Sequence, residues 1–347
     1  MEVLFELIII LRPESKEAER KELKKFLEDT GIRYNETDLN GLPVIHIIEN
    51  QHLLDSRIAE DFSAVSRAVR LSSPSPLAVR DKLRQKKKTI SVKGHVIGGS
   101  SLTVIAGPCS IESYDQLRDL ALLLKRAGIN ILRAGAFKPR TSPYSFQGLG
   151  KTGLDDLKRV ANETGMPVVT EIMDTRDLDI VSYVADIFQV GMRNMRNYPL
   201  LKELGKTTKP VLLKRAMDAP VEEWLLSAEY ILKEGNENVI LCERGILNAP
   251  SCNGRTIMDL NGILDVMERS ALPVIVDPSH AAAERSKVAP LAKAAVAAGT
   301  DGVMIEVHPN PHRALSDGFQ ALFPAQFEVL IADLRKIREL IQSQEKQ

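Results

Sequence analysis

The sequence predicts an α/β protein, a (β/α)8 TIM barrel preceded by a small α+β ferredoxin-like domain. Three observations carry the expectation. From Leu102 onward, eight short β-branched runs alternate with amphipathic helical patterns. Each run stays apolar until its C-terminal end and then delivers a charged or polar residue, as barrel strands do toward their common mouth. Ahead of them, residues 1–71 follow the order βαββαβ of a ferredoxin-like layer. A doubly wound open sheet shares the alternation; the phasing of polar groups at the run ends decides for the barrel.

A strand is expected near 2–10, where "EVLFELIIIL" is interrupted by Glu2 and Glu6 and is too short to span a bilayer. A charged helix follows near 16–29, then strands near 32–38 and 43–49 joined by "NGLP", a helix near 52–62 and a strand near 65–71. This layer holds no dense cluster of chemical groups, and reads either as a packing or oligomerisation module or as a regulatory ligand-binding one. Residues 72–100 begin as the Ser- and Pro-rich, then basic linker "SSPSPLAVRDKLRQKKKT" and end as the hairpin "ISVKGHVIGGSS". The barrel takes residues 101–347. Its strands are "LTVIAG", "INILRAG", "MPVVTEI", "DIFQVG", "KPVLLKR", "NVILCERG", "LPVIVDP" and "DGVMIEVHP". Its helices are expected near 114–127, 153–164, 175–184, 197–204, 220–234, 258–269, 285–298 and 326–342.

Composition narrows the partners. Basic and acidic side chains number 46 each, so no global field draws in nucleic acid or an anionic membrane, and an anion site must be a local cluster. The three cysteines, Cys109, Cys242 and Cys252, are too few and too unevenly spaced for a disulfide framework and indicate a reducing, cytoplasmic setting.

The strand ends carry the chemistry. In order they present Cys109, Arg133 with Lys138, Glu171, Gln189 with Arg193, Lys214 with Arg215, Glu243 with Arg244, Asp277 with His280, and Glu306 with His308. Arg133, Lys138, Arg193, Lys214 and Arg244 aimed into one mouth require a ligand with several negative charges, because cations that close otherwise repel. At least two anionic groups are implied, as in a phosphorylated carboxylic acid or two phosphorylated substrates. Cys109, His280, Glu306 and Asp317 of "LSDG" have metal-ligand character; their mixed sulfur, nitrogen and oxygen donors suit Zn, Mn, Fe or Co better than Mg or Ca. Each also has a bland reading as a core thiol, a loop hydrogen-bonder, an arginine partner or a helix cap. Two rivals stand beside metal chemistry: a Schiff-base aldolase using Lys214 or Lys138, and a non-catalytic barrel that binds a sugar phosphate.

Taken together, "GPCSIES", "RAGAFKPRTSPYSFQGLG", "VGMRN", "PVLLKR", "ILCERGI", "DPSH", "EVHP" and "ALSDG" resemble the 3-deoxy-D-arabino-heptulosonate 7-phosphate (DAHP) synthases, over essentially all of 101–335. The likeness is to the short-barrel (type I beta-like) subfamily, which is related to the 3-deoxy-D-manno-octulosonate 8-phosphate synthases. The resemblance implies condensation of phosphoenolpyruvate with erythrose 4-phosphate at a divalent metal, opening the shikimate route to aromatic amino acids. It implies Cys109, His280, Glu306 and Asp317 as metal ligands, and Arg133, Lys138, Arg193, Lys214 and Arg244 around phosphoenolpyruvate. It puts the aldose phosphate on Lys138, Pro139, Arg140 and Thr141, with Lys138, Cys109 and His280 as the catalytic residues. "KPRT" stands where the octulosonate enzymes have an "ANRSS"-like segment. The chain departs from the family pattern in "LNAPSCNGRTIMD", in Arg196 of "GMRNMRN" and in "DPSHAAAER"; a synthase using another aldose phosphate is the alternative these departures leave. The family also implies a homotetramer, and a ferredoxin-like domain sensing an aromatic amino acid, prephenate or chorismate.

Overall fold

The computed structural model describes residues 6–39, 42–50, 53–71, 77–79, 87–140, 142–247 and 256–344. Thr141, Cys252, most of the linker and the middle of the divergent 246–259 segment lie outside the described residues. The chain forms two compact units, Met1–Pro76 and Leu77–Gln347.

In the first unit, strands β1 (Glu6–Leu11), β2 (Arg33–Leu39), β3 (Leu42–Glu49) and β4 (Val65–Leu71) form one sheet in the order β2-β3-β1-β4, with helices α1 (Glu17–Asp29) and α2 (Ser56–Glu60) between strands. The period-two pattern of "ELIIIL" explains the packing. Leu7 pairs with Ile47 and Ile9 with Ile45, so these four side chains share one face, and they form a core with Leu23 and Leu27 of α1. The backbone N–H of Lys16 donates to Glu19 at 2.8 Å and starts α1; Gly31, at φ +74°, follows its end.

The second unit opens with Leu77 and Ala78, whose N–H groups donate to the Glu229 carboxylate at 3.1 and 3.0 Å. The hairpin β5 (Ile90–Val92) and β6 (His95–Ile97) belongs to this unit. Eight parallel strands then close a barrel: β7 (Thr103–Gly107), β8 (Ile131–Arg133), β9 (Val168–Glu171), β10 (Ile187–Val190), β11 (Val211–Lys214), β12 (Val239–Glu243), β15 (Val274–Val276) and β16 (Gly302–Glu306). The short hairpin β13 (Ile246–Leu247) and β14 (Thr256–Ile257) rises after the sixth barrel strand. Closure runs from Ile105 against Ile131 to Glu306 against Gly107. Ile90, Val92 and Ile97 of the first hairpin join Ile105, Ile131, Ile187, Leu212 and Ile275 in one cluster, plugging the barrel where its strands begin.

The outer layer comprises α3 (Tyr114–Arg126), α4 (Lys151–Thr164), α5 (Leu178–Ser182), α6 (Tyr198–Gly205), α7 (Val221–Lys233), α8 (Leu260–Arg269), α9 (Pro278–Ala282), α10 (Arg285–Ala297) and α11 (Pro324–Gln344). α3 shows why they pack. Ser113 accepts from the Gln116 N–H at 3.3 Å as its N-cap, and Leu117, Leu120, Ala121 and Leu124 recur at helical spacing on the buried face. The hairpin of β13 and β14 was not expected, and two helical segments also differ from the expected pattern. The helix expected over 175–184 is a 3₁₀ turn, Thr175–Asp177, followed by the one-turn α5, because Asp174 caps the segment at the Arg176 N–H. α9 was not expected: Asp277 caps it and Pro278 begins it, a start signal that "DPSH" carries in plain view.

Candidate active site

Strand parity builds the mouth. Successive residues of a strand point to opposite faces. The inward apolar residues Ile131, Val169, Ile187, Leu212, Cys242, Ile275 and Met304 stand two positions before Arg133, Glu171, Gln189, Lys214, Arg244, Asp277 and Glu306. The inner surface therefore changes from apolar to charged within one layer, at the C-terminal ends of the strands. There it opens into a cavity of about 540 Å³ whose walls include Arg133, Lys138, Arg193, Lys214, Arg244 and Glu171.

Cys109 reaches this mouth because Gly107 ends β7 at φ +153°, a conformation in which a Cβ would lie 2.0 Å from the Arg133 carbonyl oxygen. The loop from Arg133 to Gly150 folds back on itself: the Lys138 N–H donates to Gln147 O and the Gly150 N–H to Ala136 O, each at 2.9 Å. Lys138 is thereby turned inward. Its Nζ lies 2.9 Å from Cys109 Sγ, while Pro139 and Arg140 face the cavity.

Cys109, Glu306 and Asp317 can offer three donor atoms within 4.8 Å of one another. Cys109 Sγ donates to Asp317 Oδ2 at 3.0 Å. His280 stands just outside this trio, its Nε2 3.6 Å from Glu306 Oε1. Its Nδ1 lies 2.7 Å from Asp277 Oδ2, an arrangement that fixes the ring and leaves Nε2 facing the trio. Glu306 is gripped on both oxygens, by Arg133 Nη1 at 2.6 Å and by Gln320 Nε2 at 2.7 Å. Burial works against its ionisation, yet the neighbouring His280 and Arg133 outweigh it and hold the carboxyl below the ordinary range. Burial pushes the Cys109 thiol up to about 12, with Glu306 adding to the effect and Lys138 opposing it. A buried thiol converging with two carboxylates and an imidazole is a donor set that a borderline divalent ion fits, since such an ion stabilises the thiolate that burial alone disfavours.

The cations divide into committed and free. Arg133 is paired with Glu306, and Lys214 Nζ with Asp277 Oδ2 at 2.5 Å. Arg244 Nη2 donates to the His280 carbonyl at 3.4 Å, but its Nη1 is buried without a hydrogen-bond partner among the described residues. Arg193 sits on the turn Met192–Asn194 directly after β10. Glu171 accepts from Gln189 Nε2 at 3.1 Å, and its Oε1 sits so close over Gly191 that a Cβ there would lie 2.0 Å away and displace the carboxylate.

Three strand-end residues do not join the mouth. Parity turns Arg215 outward, where Nη1 pairs with Asp259 at 2.8 Å and Nε with the Ala219 carbonyl at 2.8 Å. His308 is buried behind the loop; its Nδ1 accepts the Asn310 N–H at 3.0 Å and its Nε2 lies 3.3 Å from Glu112. Glu243 also faces outward. Its Oε1 accepts the Gly245 N–H at 2.7 Å, and burial pushes its carboxyl up to about 7 against that hydrogen bond and the charge of Arg215. With the folded-state value above the unfolded one, the folded chain keeps its proton longer, and stability falls as pH rises from about 4.5 to about 7. Glu243→Gln is therefore expected to melt above the parent at about pH 8, by at most roughly 3 kcal/mol, and with it at about pH 4. Calorimetry at the two pH values checks this; a variant less stable than the parent at about pH 8 contradicts it.

Gln320 and Ser279, which accepts the Glu306 N–H at 2.9 Å, are site residues that sequence reasoning missed. Only their adjacency to Asp317 and His280 hinted at them.

A sequence model of the DAHP synthetase I family matches residues 83–343. The phospho-2-dehydro-3-deoxyheptonate aldolase of Thermotoga maritima is 40% identical over 335 residues, 96% of this chain and 98% of that protein. The 2-dehydro-3-deoxyphosphooctonate aldolase of Syntrophobacter fumaroxidans is 32% identical over 268 residues, 72% of this chain and 92% of that one. Among solved structures, the crystal structure of the Thermotoga maritima enzyme superposes with a TM-score of 0.77 at 38% identity, covering 97% of this chain and 98% of that one.

Proposed function

This chain belongs to the DAHP synthetase I family, and from that premise we propose how its own residues carry the reaction. It acts as a 3-deoxy-7-phosphoheptulonate synthase, condensing phosphoenolpyruvate, erythrose 4-phosphate and water to 3-deoxy-D-arabino-heptulosonate 7-phosphate and phosphate, the first step of the shikimate pathway. The observation that supports the residue assignment most strongly is a single cavity lined by six lysine and arginine side chains, among them Arg244 with an Nη1 that has no partner among the described residues, beside the Cys109, Glu306 and Asp317 donors.

In this reading Arg133, Lys138, Arg193, Lys214 and Arg244 hold phosphoenolpyruvate, and their charge offsets the repulsion between two phosphorylated substrates. Lys138 to Thr141 hold the phosphate of the aldose, and Lys138 serves both ligands. Cys109, His280, Glu306 and Asp317 hold a divalent metal of the Zn, Mn, Fe or Co class. That metal supplies a Lewis-acid centre for the aldehyde oxygen when bound. Fixing both substrates in one cavity turns the attack of the enol C3 on the aldehyde carbon into a proximity-assisted step. Glu171, on the cavity wall with its carboxylate oriented by Gln189, is the carboxylate that faces the positive charge growing at C2. Water adds there, and phosphate leaves with cleavage of its C–O bond.

The geometry disfavours the Schiff-base alternative. An amine nucleophile needs a depressed pKa. Burial alone would lower that of Lys138, but its pKa stands raised, with the Glu306 and Glu171 carboxylates among the groups that favour the ammonium form, while Lys214 is paired with Asp277.

One assay tests the reading: loss of phosphoenolpyruvate absorbance with a panel of aldose phosphates, before and after chelation and metal add-back. Erythrose 4-phosphate is expected to be the preferred aldose, with activity lost on chelation and restored by metal. Preference for another aldose transfers the chain to a paralogous activity; indifference to chelator together with inactivation by borohydride restores the lysine mechanism. We further propose a homotetramer working in the cytoplasm, with the first unit binding an aromatic amino acid, prephenate or chorismate. Unchanged initial rates with these compounds in the same assay remove the regulatory role. Among the described residues, no helix is long and apolar enough to cross a membrane.

A further inference from the structure

We infer that Arg285 sets the metal affinity of the site by tying the segment that carries His280 to the loop that carries Asp317; this rests on the metal reading above. Arg285 is the first residue of α10 and follows α9, on which His280 sits, after Ala283 and Glu284. It reaches across to residues 318–321 with three hydrogen bonds: its backbone N–H to Phe319 O at 2.9 Å, Nε to Ala321 O at 2.6 Å and Nη2 to Gly318 O at 2.7 Å. Its guanidinium carbon lies over the Phe323 ring, 4.8 Å from the ring centre, a cation–π contact that adds to the hold.

The loop needs such a hold. Asp317 has φ +50°, and the next residue must be glycine, since a Cβ at Gly318 would lie 2.1 Å from the Pro311 carbonyl oxygen. Upstream of Asp317, the loop is pinned by Ser316 to Ser110 at 2.6 Å and by the Leu315 N–H to Glu112 at 2.8 Å. Immediately downstream, the side chain of Arg285 donates to the carbonyls of Gly318 and Ala321, on either side of Phe319 and Gln320. Gln320 in turn grips Glu306. One guanidinium thus fixes the position of Asp317 and, through Gln320, the orientation of Glu306, without touching the donor trio itself. A lysine could reach one carbonyl as a point charge but could not bridge Gly318 and Ala321.

Arg285 is therefore a positioning residue, and its loss should show in metal affinity before it shows in substrate affinity. The experiment measures Zn and Mn affinity by chelator competition, and phosphoenolpyruvate affinity of the metal-free protein by equilibrium dialysis, for the parent, Arg285→Met, Arg285→Lys and Cys109→Ala. Arg285→Met is expected to weaken metal binding about 10–100-fold, with Arg285→Lys in between. Phosphoenolpyruvate affinity of the metal-free variants should stay within about twofold of the parent. Parent-like metal affinity in Arg285→Met overturns the inference, as does a parallel fall in both affinities, which would mark general loosening. If Arg285→Met does not fold, Arg285→Lys decides, and parent-like metal affinity there overturns the inference. A parent that binds no metal, or Cys109→Ala that binds it as the parent does, overturns the metal reading and the inference with it.

Discussion

Cys109→Ala is expected to lose metal retention and turnover together while folding as the parent does. The thiol sits at the centre of the donor set, 3.0 Å from Asp317 Oδ2 and 2.9 Å from Lys138 Nζ, and it is the set's only sulfur. Without it, a borderline ion keeps oxygen donors and one imidazole, a poorer match for its softness. Metal affinity should fall by at least about a hundredfold. Turnover should fall by about a thousandfold or more, roughly 4 kcal/mol of transition-state stabilisation. Metal-free stability should fall only modestly: burial keeps this thiol protonated, so no charge is removed, but Lys138 Nζ and Asp317 Oδ2 each lose one hydrogen-bond partner. Metal content after dialysis and steady-state rates check the first part, and thermal melting of the metal-free protein checks the second. A variant that keeps metal but loses activity would reassign Cys109 to substrate contact.

Arg244→Met and Arg133→Met should separate binding from stability. Both arginines line the same cavity. Arg133 is fully committed: Glu306, buried completely, loses its 2.6 Å partner in the variant. Breaking a buried pair from one side costs about 3–5 kcal/mol, so Arg133→Met should melt well below the parent and be inactive. Arg244 is a different case. Burial lowers its pKa, though Asp277 and Glu243 oppose the effect, and its Nη1 has no partner among the described residues. The folded chain carries that group at a cost in the absence of substrate. Arg244→Met should therefore melt with the parent or above it, yet raise KM for phosphoenolpyruvate about a hundredfold, a loss of about 2.7 kcal/mol. If Arg244→Met is destabilised as much as Arg133→Met, the guanidinium is structural and the unpartnered Nη1 has been misread.

Much of this was legible in the sequence because strand periodicity is a local property. The eight runs appear as the eight barrel strands, and Arg133, Lys138, Lys214, His280 and Asp317 lie at one mouth. Arg215 and Glu243 were misplaced by counting strand-end residues without applying parity: Leu212 and Cys242 face inward, so Lys214 and Arg244 follow them, and Arg215 and Glu243, each an odd number of positions away, cannot. That signal was present and unused. The one-turn α9 was likewise written in the Asp-Pro start of "DPSH". Gln320 and Arg285 were beyond sequence reasoning for a different reason. Their partners, Glu306 and the carbonyls of Gly318 and Ala321, become neighbours only when the loops after β15 and β16 fold against each other. The N-terminal layer gave its element order, since alternation in "ELIIIL" is self-evident, but no residue pattern there names a ligand.

Anomalous diffraction from crystals of the full chain loaded with Mn or Zn tests the account most directly. The expected result is one strong peak within bonding distance of Cys109 Sγ, His280 Nε2 and the carboxylates of Glu306 and Asp317. A peak held by other residues, or none in metal-loaded crystals, would contradict it.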